Sequence, residues 1–207
     1  MPDTRDKLIA EAEVLVRTRG YAGFSYADLA EAVGIRKASI HHHFPTKEDL
    51  GLALIAAYGK KYDRALDEIW RKTEDGLKRV EAYAELYLHG LREEQGCLAA
   101  AMATEIGILP ERIRDGVAQF FERHVAWLAR VLSEGRANGT IRDDVSPAQH
   151  ARMIVATLEG ALLMELLLGG PAGFKDTLSA LRKSLKPSRP PGPVNRRQPA
   201  GARRARL

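Results

Sequence analysis

The chain has 207 residues, 45% of them hydrophobic, 6% aromatic and 29% charged, with 32 Lys and Arg against 27 Asp and Glu for a net charge of +5. That length is ample for a buried core in one or two domains, and a bias toward Ala, Leu, Glu and Arg favours helix over sheet. A single cysteine excludes an intramolecular disulfide framework and a multi-cysteine zinc site, and the longest apolar stretch, Ala161–Leu168 interrupted by Glu165, falls well short of the ~18 residues of a membrane span.

The opening residues, Met-Pro-Asp-Thr-Arg-Asp, lack the apolar run of a secretory leader, so a cytoplasmic location is expected. Leu8, Ala12, Leu15, Val16 and Arg19 recur at helical spacing and predict an amphipathic helix ending at Gly20. Ser25 opens Ser-Tyr-Ala-Asp, a helix start signal, and Leu29 and Val33 give a short helix its apolar face before Gly34 stops it. A very short third helix, about Lys37 to Phe44, buries Ile40 and Phe44. Pro45 ends it, and Thr46 caps a long fourth helix that runs to about Lys72 with Leu50, Leu54, Tyr58, Tyr62, Leu66 and Ile69 on one side.

Beyond Gly76 the pattern stays helical. Segments are expected over roughly Leu77–Arg92, from Cys97 to about Gly107–Pro110, and from Glu111 to Asn138, the last with Val117, Phe120, Phe121, Val125, Leu128 and Leu132 as its stripe. Ser146-Pro147 is read as the cap of the next helix and Gly169-Gly170-Pro171 as its stop. Phe174, Leu178, Leu181 and Leu185 then mark a final helix over about Ala172–Leu185. The fold class expected is all-α, about nine helices.

Residues 186–207 hold five of the ten prolines, seven cations (Lys186, Arg189, Arg196, Arg197, Arg203, Arg204 and Arg206) and no acid. A disordered basic tail is expected there. Taking its seven charges from +5 leaves residues 1–185 at −2, and residues 1–62 carry nine basic and eight acidic side chains. The net charge therefore says little about any nucleic-acid site in the body of the chain.

The segment Gly20–Leu50 reads as helix, four-residue turn, helix, the geometry in which a second helix presents side chains to the DNA major groove. Ala30, Val33 and Ile35 hold the pair together, and Gly34 permits the tight turn. What is left outside is polar: Arg36, Lys37, Ser39, His41, His42, His43 and Lys47. The three consecutive histidines point ~100° apart on a helix, which disfavours a shared metal; no metal or cofactor is expected.

The run Phe24-Ser25, Asp28-Leu29-Ala30, Val33-Gly34-Ile35, Lys37, Ser39-Ile40 and His43-Phe44-Pro45-Thr46-Lys47-Glu48-Asp49-Leu50 resembles the DNA-binding domain of the TetR/AcrR family of transcriptional regulators, over about residues 5–52. Arg36 stands where that family often has a small capping residue, and His41 and His43 where tyrosine is frequent. The resemblance implies a helix-turn-helix domain (1–47), a helical ligand-binding and dimerisation domain (48–185) and the tail (186–207). It implies that Lys37, Ala38 and Ser39 face base edges, Lys37 toward guanine and Ala38 toward a thymine methyl. His41, His43, Lys47 and the amides near Ser25 and Tyr26 would hold phosphates. His42 would touch sugar or base, and Arg36 phosphate or base.

The same resemblance implies a homodimer on a palindromic double-stranded operator, released by a small-molecule effector. Ile154, Val155, Leu158, Ala161, Leu162, Leu166 and Leu167 are candidates for the dimer face, with an internal core helix as the competing reading. Pocket candidates are Tyr62, Tyr87, Met102, Glu105, Phe120, His124, Trp127 and Glu159, with Tyr83, His89 and Met164 beside them. Cys97, after Gly96 at an expected helix start, is a candidate reactive thiol, and Gly96-Cys97-Leu98 resembles a segment in a family branch that includes electrophile-responsive repressors. A structural DNA-coating protein and an all-helical enzyme are the other classes, although the chain has no Gly-rich phosphate loop or nucleophile motif.

Overall fold

The computed structural model describes residues 3–187, which form nine α-helices and no strand: α1 (Thr4–Arg19), α2 (Tyr26–Val33), α3 (Lys37–His43), α4 (Lys47–Lys72), α5 (Gly76–Arg92), α6 (Leu98–Ala103), α7 (Glu111–Ala137), α8 (Pro147–Leu168) and α9 (Pro171–Leu185). The basic tail expected over 186–207 lies outside the described residues from 188 onward.

The expected apolar stripes turn inward. Leu8, Ala12 and Val16 of α1, Leu29 of α2, Ile40 of α3 and Leu50 of α4 are fully buried, so three short helices and the first turns of α4 share one small core. α4 continues from there to pack on α5 and α7, and α5, α7, α8 and α9 pack on one another as the larger body. α6 is wedged between α1, α4 and α7. The buried residues of both parts form one continuous cluster.

Local chemistry sets the helix ends. Thr46 and Asp49 make a reciprocal capping box at α4, and the Asp75 carboxylate accepts from the amides of Leu77 (2.9 Å) and Lys78 (3.1 Å) at α5. α6 is shorter than expected. Beyond Ala103 the chain tightens into bonds to the third residue back, Glu105 N to Met102 O (3.0 Å) and Ile108 N to Glu105 O (2.9 Å), and does not resume helix before Pro110. Ser146 occupies the N-cap position of α8 but makes no side-chain cap bond, so Pro147 rather than a Ser cap starts that helix.

On α7 the buried line is Val117, Phe120, His124, Leu128 and Val131, which leaves Phe121 and Val125 half-buried. Near its end Gly135 lies against Gly76 at the start of α5 and under Ile141, with no room for a side chain.

Candidate nucleic-acid interface and internal cavity

Ser25 holds the start of α2 with Asp28. The Ser25 hydroxyl accepts from the amides of Ala27 (3.2 Å) and Asp28 (3.4 Å), and the Asp28 carboxylate accepts from Ser25 N (2.7 Å) and Ser25 Oγ (2.6 Å). Those Ser25 bonds keep the Asp28 carboxyl below its usual range. The amide of Ser25, expected to serve a phosphate, is thereby occupied by Asp28, whereas the amide of Tyr26 stands outside these bonds.

At the other end Gly34 adopts φ 74°, ψ 35°, a left-handed conformation that glycine adopts without strain. Ile35 N donates to Ala30 O (3.0 Å) and Gly34 N to Glu31 O (3.2 Å), which closes the helix and fixes the turn. α3 then emerges with Ile40 and Phe44 buried as its anchors, while Arg36, Lys37, Ala38, Ser39, His41 and His42 are exposed and His43 is half-buried.

Two aromatic devices support this helix. The Tyr26 side chain is buried, and its hydroxyl lies 2.9 Å from Phe44 O and 2.6 Å from Thr46 O, tying the start of α2 to the α3–α4 turn. Burial raises its pKa to about 12, so it stays a donor. Its ring meets the edge of His41, whose Nδ1 lies 3.2 Å from Pro45 O.

Lys47 is drawn inward. Its ammonium donates to Phe24 O and lies 4.3 Å from the Phe24 ring centre and 4.9 Å from that of Tyr21, and the partial burial lowers its pKa. Lys47 is thus a strut between α4 and the segment before α2 as well as a cation beside α3.

Two side chains join this unit to the rest of the molecule. Glu105, expected in the pocket, instead accepts from Ala22 N (2.8 Å) and so ties the α6–α7 connection to the α1–α2 turn. Arg17 of α1 is half-buried with its side chain largely covered, is paired with Glu13 (3.2 Å), and donates from Nε to Gly96 O (2.6 Å). In sequence, Glu13 and Arg17 look like an ordinary exposed pair four apart, so nothing there signalled this contact.

Arg17 also forms part of the wall of an internal cavity. Tyr62, Tyr87, Phe120, His124 and Glu159, all named from sequence, line it together with Tyr58, Cys97 and Leu162, around a volume of about 10 Å³, room for a single water-sized group. It continues past Gly96 and Glu159 into an apolar groove under α8, lined by Ala100, Thr104, Leu163 and Leu166 and offering about 320 Å³. Met102 and Trp127 lie elsewhere: Met102 is fully buried in the core, and Trp127 stacks on Tyr83 with ring centres 5.7 Å apart. His89 is exposed beside Glu93, and Met164 lies on the outer face of α8.

The cavity wall is a chain of polar groups among aromatic rings. Tyr83 Oη lies 3.0 Å from Tyr87 Oη and 2.9 Å from His124 Nδ1, and the Phe120 and His124 rings are 4.2 Å apart. His124 Nε2 and Glu159 Oε1 are buried without a hydrogen-bond partner. Burial, with Arg123 adding a smaller repulsion, pulls His124 down to about 4, and burial pushes the Glu159 carboxyl up to about 7. At neutral pH His124 is an uncharged imidazole.

Cys97 sits at the N-cap of α6, where a helix start was expected, but its thiol is buried and lies 3.8 Å from the Tyr58 hydroxyl. Desolvation, with Glu159 nearby, pushes the thiol well above its ordinary pKa. The expectation of a dipole-activated thiolate fails in this conformation, because burial outweighs one turn of helix. Among the described residues no group of three or more His, Cys, Asp or Glu side chains is placed to hold a metal ion.

The candidate dimer face also needs correction. Ile154, Val155, Leu158, Ala161 and Leu162 are buried within the chain's own core. The exposed apolar stripe of α8 is Met153, Ala156, Leu163, Met164 and Leu167, with Gly160 in its middle and nothing near the space a Gly160 side chain would fill. Among the described residues no helix is long and apolar enough to cross a membrane.

Comparison with known proteins agrees with this architecture. Residues 8–54 match the family "Bacterial regulatory proteins, tetR family" and residues 76–181 match "Tetracyclin repressor-like, C-terminal domain". The chain is 28% identical over 165 residues to the HTH-type transcriptional repressor NemR of Escherichia coli K12, an alignment covering 78% of this chain and 83% of that protein. It is 31% identical over 163 residues to the transcriptional regulator AcuR of Cereibacter sphaeroides, covering 70% of this chain and 68% of that one. A TetR-family regulator from Agrobacterium tumefaciens superposes with a TM-score of 0.84 at 32% identity, over 88% of this chain and 97% of the other. The exposed α3 on a capped helix-turn-helix, the all-helical body behind it and both family matches lead to one assignment: this chain belongs to the TetR family of DNA-binding transcriptional regulators.

Proposed function

We propose that the protein is a repressor that binds a palindromic operator as a homodimer and is released by a small molecule entering the cavity among α4, α5, α7 and α8. One observation carries this reading: α1, which packs on α2 of the DNA-binding unit, is itself part of the cavity wall through Arg17. A ligand that displaces Gly96 or the Arg17 guanidinium shifts α1, and α2 and α3 move with it through their shared core. Glu105 on Ala22 N provides a second tie.

Lys37, Ala38 and Ser39 are assigned to base edges, Arg36 and His42 to base or backbone, and His41, His43, Lys47 and the Tyr26 amide to phosphates. A dimer through the exposed α8 stripe would set two copies of α3 for successive major grooves, ~34 Å apart. The protein named NemR, a repressor, supports the direction of regulation.

Selection of bound sequences from random duplex DNA tests the reading. An inverted repeat with half-sites about one helical turn apart is expected. Uniform binding without a discrete site would replace it with the DNA-coating alternative.

A further inference from the structure

The cavity contains an acid without a counter-charge. Glu159 projects from α8 into a space walled by Tyr58 and Tyr62 of α4, Tyr87 of α5 and Phe120 and His124 of α7. Its Oε1 is buried and makes no hydrogen bond. Among the described residues the one cation in the wall, Arg17, is bonded to Glu13 and to Gly96 O. His124 is uncharged at neutral pH, and the remaining titratable neighbours, Cys97, Tyr83 and the cavity tyrosines, are neutral donors. Glu13 is shared with the exposed Lys61 (3.7 Å), and ionised Glu159 keeps hydrogen bonds from Cys97 and Tyr87 but has no charged group paired with it, a costly state in an aromatic enclosure unless a partner enters.

We infer that the site takes a small protonated amine whose head occupies the water-sized space beside the Tyr62 and Phe120 rings and donates an N–H to Glu159 Oε1, while its apolar body lies in the adjoining groove under α8. This assignment rests on the effector-cavity reading above. The geometry favours an amine over other ligand classes for two reasons. An unpartnered buried carboxylate oxygen calls for a donor, and a carboxylate or phosphate would instead set like charge beside it. Aromatic faces surrounding that oxygen attract positive charge. His124 Nε2, the other unpartnered atom, offers one further hydrogen bond to a polar group on the amine's body. With Glu159 titrating near 7, capture of an already protonated amine at pH 7 drives off roughly half a proton.

Isothermal calorimetry on the full chain at pH 7, in two buffers of different ionisation enthalpy, tests this with four probes of one shape: benzylamine, benzyltrimethylammonium, benzyl alcohol and benzoate. Benzylamine is expected to bind at least tenfold more tightly than the other three and to release a fraction of a proton. Glu159→Gln removes both the preference and the proton release, and Glu159→Asp retains the preference. Equal binding of benzyl alcohol or benzoate, a preference that survives in Glu159→Gln, or no binding of benzylamine overturns the assignment. Equal binding of benzyltrimethylammonium overturns the N–H donor.

Leu162→Trp, which fills the cavity, separates this from the wider reading. If benzyl alcohol binds the parent as tightly as benzylamine and that substitution abolishes its binding, the cavity stands as the effector site and only the amine falls. If amine binding survives it, both fall.

Discussion

Lys37 and Lys47 are both lysines beside the recognition helix, yet the structure gives them different tasks. Lys37 is exposed on the first turn of α3 with no hydrogen-bond or ion-pair partner among the described residues, whereas Lys47 is half-buried against Phe24 and Tyr21. Lys37→Ala should relax base preference at one position of each half-site and leave the thermal midpoint unchanged. Lys47→Ala should weaken binding to all sequences, lower the salt slope by roughly one, and cost about 1 kcal/mol of stability from the lost strut. Salt titrations on specific and random DNA, with a melting curve for each variant, separate the two.

Glu159 has its own signature at this scale. Its folded pKa of about 7 lies above the ordinary carboxyl value, so the unfolded chain gives up that proton first, and the group costs stability progressively as pH rises from about 4.5 through 7. His124, depressed to about 4, acts in the opposite direction, adding stability as pH rises from about 4 to 6.5, and it does so equally in a Glu159 variant. The stability of Glu159→Gln relative to the parent should therefore rise by on the order of 2 kcal/mol between pH 5 and pH 8. Denaturant melts at the two pH values measure it, and a constant difference would mean that Glu159 titrates normally.

At the level of elements, two glycines limit the architecture for different reasons. Gly34 needs its left-handed backbone but has open space around it, so Gly34→Ala should cost about 1–2 kcal/mol through strain alone and disturb the α2–α3 angle. Gly135 has ordinary helical geometry but no room, because a Cβ there would meet Gly76 and Ile141. Gly135→Ala should cost a similar or larger amount, about 1–3 kcal/mol, by prising α5 from α7. Chemical denaturation gives both values, and operator binding distinguishes them: at equal stability, the Gly34 variant should lose more affinity. α6 makes the same contrast between local and tertiary forces. Its N-terminus would lower a thiol's pKa, but packing between α1, α4 and α7 buries Cys97 and reverses the sign.

For the whole molecule, the α8 stripe is an exposed apolar surface, with Leu167 86% and Leu163 63% exposed. Leu163→Glu with Leu167→Glu should yield a folded monomer by sedimentation that no longer protects a two-half-site operator. A dimer that survives these charges would place the interface elsewhere. The two parts of the chain are joined through the Arg17–Gly96 and Glu105–Ala22 hydrogen bonds and through α4, which has its first turn under the recognition helix and its middle in the cavity wall.

The helical class, the order of the helices and the helix-turn-helix were legible in the sequence, because stripe spacing, Ser25, Thr46, Gly34 and the glycine-proline stops are local signals that short-range hydrogen bonds enforce. The polar row on α3 was legible for the same reason: seven residues with only Ile40 and the following Phe44 as inward anchors leave Lys37, Ala38, Ser39, His41 and His42 exposed, with His43 half-buried. Tertiary packing decided the rest. It placed Glu105 on a backbone amide instead of in the cavity, made Met102 core and set Trp127 against Tyr83. It turned Ile154, Val155, Leu158, Ala161 and Leu162 of the expected dimer face inward, half-buried Leu166, and left Leu167 on an exposed stripe with Met153, Leu163 and Met164. It brought Arg17 of α1 to the wall of a cavity 79 residues away at Gly96. Apolar periodicity marks which face of a helix is buried, but not whether the covering surface is the chain's own or a partner's, and a buried carboxyl such as Glu159 becomes distinctive only when the folded neighbours supply no charge to meet it.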